Sequence, residues 1–185
     1  WSSDVCSSDL DTKIGDLIDR ASALFARYCG YPGSVPTMES ANYVLYLDGP
    51  GGRDLDLSIW PATAISSVYD DPTLDFTDSV YLVGSSDYTL IDGRFLRLKS
   101  TATHGFWSKQ RDCIKVSFTA GYTSVPDDLK ALCIAQVRNL WELRANQGKS
   151  KIKEGDNSWD FREEALMPAW IQSALSAYRL PRSMI

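Results

Sequence analysis

Residues 113–148 read Cys113-Ile-Lys-Val-Ser-Phe-Thr-Ala-Gly-Tyr-Thr-Ser-Val-Pro-Asp-Asp-Leu-Lys-Ala-Leu-Cys-Ile-Ala-Gln-Val-Arg-Asn-Leu-Trp-Glu-Leu-Arg-Ala-Asn-Gln-Gly148, and this stretch decides the fold. Ile114, Val116 and Phe118 alternate with Lys115, Ser117 and Thr119, the period-two pattern of a strand with one buried face. Gly121 ends the run, with no Cβ to obstruct a left-handed turn. Pro126 suits a first helical turn, where its missing N–H would have had no partner; Ser124 or Val125 then stands as the cap, Ser124 being chemically the better. Asp127 and Asp128 set negative charge against the positive end of the helix dipole. Leu129, Leu132, Cys133, Val137, Leu140 and Trp141 recur at spacings of three and four and make one apolar face, with Arg138, Glu142 and Arg144 largely off it. Gly148 is a natural stop. A helix over 126–147 would span roughly 33 Å at 1.5 Å per residue.

Outward from this core, residues 12–29 predict a first helix: Ile14, Leu17, Ile18, Ala21, Leu24, Phe25 and Tyr28 form its stripe, and Gly30 stops it. Residues 40–119 are strand-rich. Tyr43–Leu47 and Leu55–Trp60 flank Asp48-Gly-Pro-Gly-Gly52, which predicts a hairpin with an extended tip. Strands follow at Ala64–Tyr69 and Ser79–Val83, and Asp92-Gly93 turns a tight hairpin between Tyr88–Ile91 and Phe95–Leu98. A polar linker runs from Gly148 to Ser158, charged and poor in apolar residues, and is expected to be mobile in the free protein. A final helix starts near Pro168 with the stripe Trp170, Ile171, Ala174, Leu175 and Tyr178. The expected class is therefore α+β: a bundle of an N-terminal, a long central and a C-terminal helix, with an inserted antiparallel β-meander or small barrel.

A chain of 185 residues, 44% hydrophobic and 23% charged, has the composition of one globular domain able to bury a proper core. No apolar run is long enough for a membrane helix, and no signal peptide is visible, so no membrane partner is expected. The formal charge of −5 argues against a surface built to grip nucleic acid. The four cysteines are isolated, which favours reduced thiols in a cytoplasmic setting over a disulfide or zinc framework. Residues 1–10, with Ser-Ser-Asp twice, no apolar period and no initiator methionine, read as a non-native leader that resembles translated sequencing adapter. Setting them aside leaves residues 11–180 as the domain, with 181–185 as a tail.

Residues suited to chemistry are scarce. His104, the one histidine, lies in a polar loop without the nucleophile and orienting carboxylate that a triad needs. Asp54 and Asp56 share a strand face and could chelate a cation, or simply be solvated. Gly49-Pro-Gly-Gly52 lacks the Lys-Ser/Thr of a phosphate loop. No catalytic residue, metal ligand or cofactor is expected. Six tryptophans and nine tyrosines point instead to protein contacts, for which Trp and Tyr are the usual anchors. Trp60, Trp141 and Trp170 are assigned to the core. Trp107 and Trp159, in polar surroundings, are the interface candidates, with Phe161 beside the second.

Three stretches carry a family resemblance: Phe118-Thr-Ala-Gly-Tyr122, Val125-Pro-Asp-Asp-Leu-Lys-Ala131 and Leu140-Trp-Glu-Leu-Arg144. Together with Tyr28-Cys-Gly-Tyr31 at the end of the first helix and Ala177-Tyr-Arg179 near the end of the last, they resemble the head–tail connector (head-completion adaptor) proteins of long-tailed bacteriophages. The likeness covers roughly 12–180. It implies a non-enzymatic virion subunit, made in the bacterial host cytoplasm, in a ring of about twelve copies joined head to tail. The resemblance further implies a portal protein on one side of the ring, a stopper or tail-completion protein on the other, and DNA passing through the channel without sequence-specific binding. On that reading Tyr178, Arg179 and Leu180 join Trp107, Trp159 and Phe161 as interface candidates, and the tail from Leu180 is the candidate for portal contact. Another neck or tail-completion protein, a small-ligand-binding β-domain, and a metal-dependent hydrolase using Asp54 and Asp56 are the alternatives.

Overall fold

The computed structural model describes residues 4–34, 36–145, 151–154, 157–160 and 167–181. The chain divides into a helical unit (1–36 and 125–179) and a β unit (37–124 and 180–185).

The helical unit holds α1 (Asp4–Cys29), α2 (Asp127–Ala145) and α3 (Ala169–Leu175), the last followed by a 3-10 turn Ser176–Tyr178. α1 packs on α2, and α3 on both. Ala21, Phe25, Ala26 and Cys29 of α1, Leu129, Gln136 and Leu140 of α2, and Ile171 and Leu175 of α3 are buried. α1 begins eight residues before the expected start, so the helix runs back through the supposed leader. It ends as expected: Gly30 N–H donates to Arg27 O, and Tyr31 N–H to Ala26 O. α2 begins at Asp127, with Pro126 just outside and its carbonyl accepting from Lys130 N–H. The Asp128 carboxylate accepts from Leu129 N–H and from the Tyr178 hydroxyl, tying the last turn of the chain to the start of α2. Tyr178 is also the main cause that holds the Asp128 carboxyl below the usual range. The expected stop at Gly148 lies outside the described residues. Within and just beyond the expected linker 148–158, β7 (Lys151–Glu154) and β8 (Asn157–Asp160) pair antiparallel, with Ile152 opposite Trp159.

The β unit has two three-stranded antiparallel sheets, which makes the class α+β as expected. Its β part is not a single meander. In the first sheet β6 (Ile114–Ala120) lies between β1 (Ala41–Leu47) and β3 (Ala62–Asp70). In the second, β5 (Phe95–Leu98) lies between β2 (Asp54–Asp56) and β4 (Tyr88–Ile91). The β4–β5 hairpin turns at Asp92-Gly93 as expected. The expected hairpin between Tyr43–Leu47 and Leu55–Trp60 does not form, because its two strands belong to different sheets. Gly49 explains why: its N–H donates to Gln110 O, and a Cβ there would overlap the Ser108 carbonyl. The supposed hairpin tip is therefore a buttress against 108–110. Ser79–Val83 is a 3-10 turn (Ser79–Tyr81) followed by a single bridge from Leu82 to Tyr69.

β6 behaves as its alternation predicts: Ile114, Val116, Phe118 and Ala120 are all inaccessible. Phe118 packs against Tyr43, ring centroids 6.0 Å apart. On the opposite face Tyr46, Lys115 and Tyr69 stand in one row across the three strands. Phe76 closes that row, edge-on to Tyr46 at 5.3 Å, with the Lys115 ammonium 5.8 Å from each ring.

Phe76 reaches this place through a built loop. The Asp71 carboxylate, wholly inaccessible, accepts from Thr73 N–H (2.7 Å), Thr73 Oγ1 (2.6 Å) and Phe76 N–H (2.8 Å). Its own N–H donates to Cys113 O, which roots the loop at the entrance to β6. Leu74 (φ 63°) and Phe76 (φ 56°) both take the left-handed conformation. For non-glycine residues that costs on the order of 1–3 kcal/mol each and persists only where surrounding contacts impose it. Asp78 then accepts from Val80 N–H and caps the 3-10 turn.

Two outcomes follow. Gly121 has φ +104°, and a Cβ there would run into the Glu39 backbone. Gly121→Ala should destabilise the protein by about 2 kcal/mol, read as a lower midpoint in chemical denaturation. For Asp71, burial works to raise the carboxyl's pKa, but the Thr73 hydroxyl and the Phe76 and Thr73 amides outweigh it and hold it below the ordinary carboxylate range. A carboxyl depressed in the folded state stabilises at neutral pH, and that contribution disappears as pH falls through its folded pKa. Asp71→Asn should therefore speed hydrogen exchange of the Phe76 amide about tenfold or more at neutral pH. The difference from the parent should shrink on acidification below the ordinary carboxylate range. Equal exchange rates at neutral pH would show that the carboxylate does not hold the loop.

Candidate functional site

The residues singled out in the sequence do not form one site. Trp107 is 2% exposed, and its indole N–H donates to Arg53 O at 2.9 Å. It fills the β unit's own core, so the expectation that it faces a partner is corrected. The exposed aromatic in that loop is its neighbour Phe106, under the Arg53 guanidinium at 5.6 Å. Trp159 lies in β8, and Phe161 lies outside the described residues. Tyr178 is half-buried with its hydroxyl on Asp128, the Arg179 guanidinium sits 5.1 Å over the Tyr28 ring, and Leu180 is buried. Of these three interface candidates, only Leu180 is buried; Arg179 remains exposed.

The tryptophans assigned to the core are partly reversed. Trp170 is 58% exposed and Trp141 41%, while Trp60 is half-buried. The cause on α2 is angular. The buried face is Leu129, Gln136 and Leu140, and Trp141 stands about 100° around from Leu140. The face opposite the core carries Ile134, which is 71% exposed, with Lys130 one turn before it and Arg138 one turn after. Lys130 pairs with Asp127 (2.9 Å) and Arg138 with Glu142 (3.1 Å), both on the surface.

The β unit has its own exposed apolar surface at the loop built on Asp71. Leu74, Val80 and Leu82 are exposed there, Val80 to 74%, alongside Asp75 and Asp78. Val44 and Tyr46 are exposed on the edge strand β1. Single exposed apolar residues are ordinary, but three within nine positions of one loop make it a candidate contact surface. The sequence offered a signal for both surfaces. Ile134 is an apolar residue off the α2 stripe, and Val80 and Leu82 are apolar residues set among aspartates.

Catalytic geometry is not found at the positions considered. Asp54 and Asp56 are each taken by an arginine, Asp54 by Arg97 at 2.5 Å and Asp56 by Arg94 at 2.7 Å. The Arg97 hydrogen bond is the main cause that lowers the Asp54 pKa. At Asp56, burial opposes the shift, but Arg94 and the Ser58 amide prevail and also lower it. Carboxylates so engaged make a poor cation site, and among the described residues no group of three potential metal ligands converges. His104 sits exposed in its loop. Burial pushes the Cys29 thiol up to about 11, against the opposing pull of Arg179, and its Sγ faces Leu175 O at 3.8 Å, an inert core position.

Comparison with known proteins supplies a family and a fold. A family model described as head completion protein matches residues 3–180. No curated protein matches. Among solved structures, a chain in the neck of a native GTA particle, computed with C12 symmetry, is similar with a TM-score of 0.56 and 16% identity, over 96% of this chain and 87% of that one. A chain in the neck of an empty GTA particle, computed with C6 symmetry, gives 0.54 and 16%, over 94% and 81%. A chain in the virion of a native gene transfer agent particle gives 0.54 and 16%, over 94% and 80%. At such identity the likeness is one of fold. The family match spans nearly the whole chain, and the protein belongs to the head completion protein family.

Proposed function

We propose that this protein is a non-enzymatic structural subunit of the head–tail junction of a phage-like particle, repeated in a ring that docks on the portal and extends the DNA channel. The observation that carries this reading is the family match over residues 3–180. The C12 symmetry used for the neck of the native GTA particle, whose chain shares the fold, supports a ring of about twelve copies. The surface is of the right kind: both units expose apolar side chains, and the paired aspartates are spent on arginines. A net charge of −5 suits a lumen that lets DNA pass, because basic residues lining it would add phosphate contacts and slow transit. A stopper or tail-completion protein would meet the face of the ring away from the portal. We also assign the paired strands β7 and β8, with Trp159 in β8, to contact with a neighbouring subunit or the portal; a two-stranded ladder is marginal by itself and gains from a packing partner.

Mixing the purified protein with the portal protein of the same particle should give a co-migrating complex that electron microscopy shows as a ring stacked on the portal. Persistent failure to bind the portal across salt and concentration would overturn the reading. A protein that is monomeric alone would not, since the portal can template assembly.

A further inference from the structure

We infer, resting on the ring reading above, that each copy adds its β7–β8 hairpin to the free edge of β1 in the next copy, so that the two chains share one sheet. β1 has β6 on one side only, and among the described residues no backbone group bonds to its other side. Alternate residues of an antiparallel strand turn N–H and C=O away from the partner, so the outer side of β1 is a row of unmet donors and acceptors. Edge strands are ordinarily guarded by charge, proline, a bulge or brevity. β1 has none of these: Ala41-Asn-Tyr-Val-Leu-Tyr-Leu47 is uncharged and free of proline, and its seven pairs with β6 run without a register shift. The opposite edge of the same sheet is guarded. β3 follows Pro61, has two register shifts and ends at Asp70, and its outer side receives Val83 N–H at Val68 O, 2.9 Å away. The side chains of β1 are equally unfinished. Val44 and Tyr46 are exposed, and Tyr43, Leu45 and Leu47 on the core face are only half-buried, although the β6 residues opposite them are inaccessible.

What an open edge accepts is an extended segment with a free edge of its own, recognised by main-chain hydrogen bonds and not by charge. The described residues hold one sheet that is itself incomplete. β7 and β8 pair only with each other, so each has one bonded side and one open side. Two strands alone are marginal in water, and a third strand is the addition that makes a sheet stable. Joined to β1, the hairpin enters a sheet of five strands, and β1 ceases to be an edge. Other strands of the chain fit less well. β2 and β4 are three and four residues long and already belong to a three-stranded sheet. Pairing β1 with its own counterpart would place a two-fold axis between the strands and close a dimer, not a ring. β1 in the β unit and the hairpin in the helical unit are two different surfaces, as joining head to tail requires.

The test uses the full chain, free and assembled on its portal. The outward-facing amides of β1 should exchange hydrogen rapidly in the free subunit and about tenfold or more slowly in the ring. Equal exchange in the two states would overturn the strand addition while leaving the ring reading intact. Cross-linking between copies identifies the occupant. Subunits carrying Val44→Cys are mixed with subunits in which one residue of 151–154 or 157–160 is replaced by cysteine, assembled on the portal and oxidised, with the parental mixture as the blank. A disulfide-linked pair of chains is expected at one or more of these positions. Slowed exchange in β1 without a link at any of the eight positions would give the edge to the portal or another chain and overturn the hairpin as its occupant. If the parent protein forms no ring on its portal, the ring reading fails first and the strand addition falls with it.

Discussion

β6 is the strand on which the β unit depends. It is hydrogen-bonded on both sides, to β1 over seven consecutive pairs and to β3 with two register shifts. Four alternate side chains, Ile114, Val116, Phe118 and Ala120, are inaccessible, and burying one residue of the Phe118 kind is worth about 1.5–3 kcal/mol. What lies at its two ends then follows. At its start Cys113 O receives Asp71 N–H, which roots the loop that holds Leu74 and Phe76. At its finish Gly121 allows a turn that backbone contact with Glu39 closes to any side chain. The loop and the turn are thus consequences of one strand's register. A one-residue slip of β6 would turn Lys115, Ser117 and Thr119 inward and lose both.

The same strand shows how much was legible in the sequence. Alternation within β6, the apolar stripe that places α2, the Asp92-Gly93 hairpin and the end of α1 at Gly30 all rest on periodicity and local turn chemistry, and all appear in the structure. The misread features depend on long-range partners. Tyr43–Leu47 and Leu55–Trp60 are neighbours in sequence with a glycine-rich connection, which locally favours a hairpin. β1 instead finds a longer partner in β6, and the connection is held by Gln110 and Ser108. Trp107 sits in a polar string, yet its indole N–H finds the Arg53 carbonyl and removes the cost of burial. Nothing within a few residues of Trp107 announces a carbonyl 54 positions away.

The exposed surfaces were harder to read for a related reason. Periodicity gives a helix its apolar side to within about one residue, or about 100°. That margin separates buried Leu140 from exposed Trp141. Ile134 is the more telling residue, because it stands opposite Gln136 and Leu140 rather than at the edge of the buried face. An apolar side chain in that position contributes nothing to its own helix's packing. Likewise Val80 and Leu82, which look like a strand by composition, are displayed by a 3-10 turn that Asp78 caps.

Stability alone does not account for the loop between β3 and β4. A chain selected only to fold could connect those strands with glycine at the left-handed positions and polar residues at the tip, removing both the strain and the exposed apolar area. This chain has Leu74 and Phe76 where glycine would be comfortable, and a fully buried carboxylate to hold them. Phe76 has an evident use, since it completes the row with Tyr46 and Lys115. Leu74 is 47% exposed, so about half of its side chain lies open to solvent. Of the two left-handed positions Leu74 is the costlier, because its more exposed side chain gains less from burial than that of Phe76.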